Sequence, residues 1–157
     1  MERSAHRLLV LSLAGFAGVI GFGAIRASPA HALLDTAPAV IQAFQAFHAH
    51  FDSLVWLGAA ALGGALKLLA PGYRGPAWAP RWLAPLYAAG TVLFAGSYAV
   101  KGLGLRLGLA ALAQPLPAAL ASIGGVLLLA AAACALAIGR AVLAAPRAEE
   151  DGSGLRA

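Results

Sequence analysis

Charged residues in this chain come at intervals, and long uncharged runs lie between them. The run Leu8–Ile25 carries no charge and is bounded by Arg7 and Arg26. About 20 apolar residues cross the hydrocarbon layer as a helix, so this run is just long enough. A second helix is predicted from Pro38 to Ala70, with Pro38 in its first turn and Thr36 as a cap near it. It starts polar and ends apolar, and at about 50 Å it exceeds the apolar layer. A third run, Leu83–Val100, ends at Lys101, and a fourth, from Pro117 to about Ile138, is closed by Arg140.

The pattern therefore predicts an all-α polytopic membrane protein, a bundle of four transmembrane helices within residues 1–145. The spans are expected at 8–25, 47–70, 83–100 and 117–138, with a disordered cytoplasmic tail over 146–157. The 71–81 segment reads as an interfacial loop, with Tyr73, Trp78 and Trp82 as belt anchors. The 102–116 segment, broken by Gly102, Gly104, Gly108 and Pro115, reads as an interfacial or half-inserted connection. The first run has a rival reading as a signal peptide, with an A-x-A pattern at 30–32, but it is longer than the usual apolar core of such a peptide.

Small residues recur at helical spacing. Ala14, Gly18 and Gly21 lie on one side of the first span, and Ala59/Gly63 and Ala60/Gly64 are pairs four apart in the second. Such faces suit close helix contact in lipid. In the third span Tyr87, Thr91, Phe94 and Tyr98 share a mildly polar side expected to turn inward.

Composition agrees with this picture: 61% of residues are hydrophobic and 11% charged, against about a quarter charged in soluble domains. A net charge of +5 does not point to nucleic acid, because the basic residues stand singly at segment ends. They set topology instead. With both termini cytoplasmic in a bacterial-type inner membrane, the inner side holds Arg3, Arg7, Lys67, Arg74, Arg81, Arg140, Arg147 and Arg156. The outer side holds only Arg26, Lys101 and Arg106. The single Cys134 lies inside an apolar run and reads as core.

Candidate chemistry concentrates at the polar start of the second helix. Gln45, His48 and Asp52 fall on one face, while His50 points the other way. Imidazole is a common ligand for haem iron, copper and zinc, and a carboxylate can orient its far nitrogen. His48, His50 and His31 are thus candidate cofactor ligands, and His48 with Asp52 a candidate metal pair. Tyr98 lies at similar depth, and Lys101 or Arg26 is the expected ion-pair partner of Asp52. In that arrangement His48 faces inward and His50 faces lipid headgroups or a partner. The competing reading makes these histidines tolerated boundary residues and Asp52 a structural ion pair. No H-E-x-x-H, G-x-S-x-G or C-x-x-C is present, and GLGLRLG follows no strand, so no complete catalytic constellation is legible.

Two resemblances attach to quoted segments. GFAGVIGFGAIRA, FQAFHAHF, AAGTVLFAGSY and SIGG, in that order, resemble the small YgdD/YwdK-like inner-membrane family, whose members look like four-helix proteins of unassigned function. The chain departs from that pattern in its long 71–81 and 102–116 connections and in its second histidine. Locally, FHAHFDSLVWLG is similar to the haem-ligand helix of haem-copper oxidase subunit I. That likeness implies haem b or copper at His48 or His50, in the service of electron transfer. A full oxidase needs more histidines on other helices than this chain has. The expectation is a non-enzymatic bundle in the lipid bilayer, alone, as a homodimer, or as an accessory subunit of a larger membrane complex. The alternative is a haem- or copper-binding module.

Overall fold

The computed structural model describes residues 1–29 and 37–144, so His31, the A-x-A site at 30–32 and the 146–157 tail lie outside the described residues. Four helices are long and apolar enough to cross a membrane: Glu2–Ala27, Pro38–Gly72, Trp78–Leu107 and Ala110–Leu143. The chain is an all-α four-helix membrane bundle. We label α1 Glu2–Ala27, α2 Pro38–His50, α3 Ala59–Leu69, α4 Trp78–Leu107, α5 Ala110–Ala113 and α6 Leu116–Leu143. A π-helical segment, Phe51–Gly58, joins α2 to α3 without a break.

Lipid supplies no hydrogen bonds, so an apolar run must satisfy its backbone internally and becomes helical. Its apolar side chains then need no protein cover. Leu13 and Ile20 on α1, Leu68 on α3 and Leu129 and Leu136 on α6 all stand exposed. The helices meet through smaller groups. Here α4 packs along α6, α2 packs on α4, and α1 packs on α3 and the π segment. Leu8, Leu66, Leu83, Tyr87, Cys134 and Ile138 form one buried cluster fed by all four long helices. The shared side of the third helix does turn inward at Tyr87 and Thr91, which are buried.

Glycines mark the crossings. A Cβ on Gly124 would lie 2.6 Å from the Phe94 nitrogen, and one on Gly90 would lie 3.0 Å from the Gly124 carbonyl oxygen. A Cβ on Gly15 would lie 2.9 Å from the Val55 carbonyl carbon. Gly18 and Gly63 also sit against α1–second-helix partners, the Phe51 ring and the Leu9 side chain. By contrast Gly21 and Gly64 face open space. One of the two small pairs predicted in the second helix is therefore at a crossing, with Ala59 and Gly63 both buried.

The two connections are shorter than the sequence suggests. Helix α4 begins at Trp78, and Trp78 and Trp82 stand half exposed at its start. It continues through Gly102 and Gly104 to Leu107. Both glycines are buried: Gly102 lies against Phe44, and Gly104 against the backbone of Leu112 and Ala113. The missing side chains that suggested a break instead admit close neighbours. Gly108 ends the helix in the left-handed region, at φ 66, where glycine is unstrained.

At the opposite end of the bundle the Ser4 hydroxyl donates to the Pro80 carbonyl, tying the first turn of α1 to the first turn of α4. Tyr73 closes the preceding loop by donating to the Pro76 carbonyl at 2.8 Å. Burial raises the Tyr73 pKa from its ordinary value.

Candidate functional site

The polar band of the second helix lies where α1, α2 and α4 approach one another. Its two histidines diverge. The His48 ring stacks on Phe22 of α1, with centroids 5.2 Å apart and planes at 24°. The His50 ring lies 4.9 Å from the Tyr98 ring and 5.3 Å from the Phe94 ring, both on α4. Residues two apart on a helix point to opposite sides, and here a different helix meets each side. His50 thus packs on α4 rather than facing lipid headgroups or a partner. Both histidines are half-buried.

The structure sorts the other candidates into two groups. Gln45 and Arg26 join His48 around a cavity of 260 Å³ that Phe22, Gly23 and Phe44 complete. Tyr98 joins His50, and with Lys101 it also borders a separate 230 Å³ cavity beside Gln114 and Pro117. Asp52 stands in the π segment, and its Oδ1 is buried with no hydrogen-bond partner. Among the described residues no three His, Cys, Asp or Glu side chains are placed to hold one metal ion.

The π segment itself is the feature that sequence reasoning missed. A π turn bonds i to i+5, is rare, and often marks functional positions. Here it coincides with two side-chain hydrogen bonds, one to the α2 carbonyl just before it and one to its own backbone. Ser53 donates its hydroxyl to the Ala49 carbonyl at 2.7 Å. Tyr87 of α4 donates to the Leu54 carbonyl at 2.7 Å. The Tyr87 hydroxyl reaches that carbonyl over Gly58, where a Cβ would overlap it. Ser53 and Gly58 inside an apolar run were the visible signals, but neither names its partner on α4. Because a π segment turns the chain less per residue than an α-helix, it also sets which face of α3 meets α1.

No protein-family model matches the chain, and neither a curated protein nor a solved structure is significantly similar to it.

Proposed function

We propose that this chain is a non-enzymatic integral membrane protein that acts by packing, as a bundle on its own or as an accessory subunit of a membrane complex. The observation that carries this reading is the divergence of His48 and His50, each seated on an aromatic ring of a different helix. A ligand set converges on one point, whereas these rings serve as wedges between helices. The resemblance to the YgdD/YwdK-like family fits the same role, and it stands as part of the proposal. The haem b or copper module is the reading this one competes with, and one preparation separates them. Purified in mild detergent, the protein is expected to be colourless and free of stoichiometric copper. His48→Ala and His50→Ala should each lower its thermal stability by about 1 kcal/mol, the scale of one lost aromatic pair. A Soret band or bound copper that disappears in His48→Ala would overturn the proposal in favour of the cofactor module.

We also propose the orientation, with both termini cytoplasmic in a bacterial-type inner membrane. Its support is the grouping of cations at the two ends of the bundle. Arg3, Arg7 and Arg81 border one cavity, and Lys67 borders another with Glu2 and His6 at the same end. Arg26 and Lys101 lie beside Gln45 and Gln114 at the other end. An excess of Lys and Arg marks the cytoplasmic side. A cytoplasm-active reporter fused after Ala157 should be active, and a periplasm-active reporter inserted between Gly108 and Gln114 should be active too. A periplasmic reporter active at the C-terminus would reverse the orientation.

A further inference from the structure

We infer that the first turns of α1 and α4 form a binding site for the phosphodiester headgroup of an anionic phospholipid, held by Arg3, Arg7 and Arg81. These three arginines border one cavity of 410 Å³, walled by Ser4 and Pro80. Arg3 and Arg7 are four apart on one helix face, an arrangement of like charges that is unfavourable until a counter-charge meets it. The Ser4–Pro80 hydrogen bond fixes α1 against α4 and so brings Arg81 to the same cavity. The nearest acid in sequence, Glu2, borders a different cavity, with His6 and Lys67. Among the described residues no carboxylate is paired with Arg3, Arg7 or Arg81.

Guanidinium groups bind phosphate oxygens in pairs of parallel hydrogen bonds, so three arginines bordering one opening suit a phosphodiester. Depth identifies the source. Trp78 and Trp82, 51% and 52% exposed, stand in the same first turns of α4. Exposed tryptophans of membrane helices settle at headgroup level, which places the arginines beside lipid phosphates. Arg74 is excluded from the cavity lining although it lies in the loop preceding α4, as is Arg140 near the end of α6. The site is therefore more specific than a general basic surface, and it does not depend on the packing role proposed above.

Native mass spectrometry of the full chain in mild detergent tests this with phosphatidylglycerol and phosphatidylcholine at equal concentration. The wild type should favour phosphatidylglycerol by about fivefold or more, the scale of one interfacial arginine. Arg7→Gln/Arg81→Gln should lose about tenfold or more of phosphatidylglycerol binding, while Arg74→Gln/Arg140→Gln stays close to wild type. Equal binding of the two lipids by the wild type would overturn the inference, and so would equal losses in the two double variants. Displacement of the lipid by millimolar inorganic phosphate would overturn the lipid assignment in favour of a free anion. Phosphatidylglycerol should also raise the melting temperature of the wild type and not that of Arg3→Gln, a comparison that holds even if the double variant is poorly folded.

Discussion

Gly124→Leu should remove most of the folded protein from the membrane, while Gly125→Leu, one residue on, should leave it near wild type. The Gly124 Cβ position lies 2.6 Å from the Phe94 nitrogen and 2.8 Å from the Gly90 carbonyl oxygen. Both are backbone atoms of α4, so no side chain can turn aside to make room. The helices must separate, and α4 on α6 is the most extensive packing in the bundle. Without a hydrophobic driving force between helices in lipid, that close packing is most of what holds them together. Overpacking a core costs about 1–3 kcal/mol and occasionally more, and this site belongs at or above the upper end. At Gly125 an added Cβ meets nothing within 4 Å, so the change there should stay within about 0.5 kcal/mol. Thermal melting in detergent and accumulation in membranes give the comparison. Similar losses at both positions would mean that α4 and α6 do not cross through Gly124.

The second large effect lies at the π segment and takes the form of a rescue. Gly58→Ala should destabilise by about 1–3 kcal/mol, because its methyl overlaps the Tyr87 hydroxyl and drives it from the Leu54 carbonyl. Tyr87→Phe alone loses one hydrogen bond and should cost about 1 kcal/mol. Combined, the changes should cost less than their sum, since removing the hydroxyl removes the atom that the methyl strikes. After that removal the nearest atoms to the added Cβ are the Ser53 carbonyl oxygen at 3.2 Å and the Tyr87 Cζ at 3.4 Å, so the severe overlap is gone and one tight contact remains. A coupling of about 1 kcal/mol or more in the double-mutant cycle is expected. Strict additivity would mean that Tyr87 does not lie over Gly58.

The candidate site was only half legible in the sequence. Helical spacing correctly turned His48 and His50 to opposite sides, since two residues cover more than half a turn whatever lies around them. The same spacing put His48 with Gln45, and the structure places both at one cavity. What spacing could not supply was the neighbour on each side. The assignment of His50 to headgroups assumed that one side of the helix was free, yet Phe94 and Tyr98 of α4 occupy it. A helix wheel carries no information about how many helices surround it.

Gly102 and Gly104 show the limit from another direction. Glycine weakens a helix by about 1 kcal/mol relative to alanine, so their spacing in an apolar segment reads locally as a break. In the bundle they are sites of close approach, and the helix continues to Leu107 because Phe44 and the Leu112–Ala113 backbone pack where side chains would stand. A glycine in a membrane helix signals either a break or a contact, and its own sequence cannot say which. Gly21 and Gly64 face open space while Gly15 and Gly63 sit at crossings, although all four lie in similarly apolar stretches of sequence.

The sequence by itself determined the fold class, because hydrocarbon admits few ways to satisfy a backbone, and long uncharged runs between single charges leave only helices. It also sorted the cations into an end rich in arginine and an end poor in it, since each charge must stop at a bilayer edge. The tertiary structure alone decided which glycines touch, which helix receives each histidine, and where the second helix winds into a π segment. Those features depend on the rotation of each helix about its axis. In lipid that rotation is set by contacts of a few ångströms between residues far apart in the chain, such as Tyr87 with Leu54 and Gly90 with Gly124.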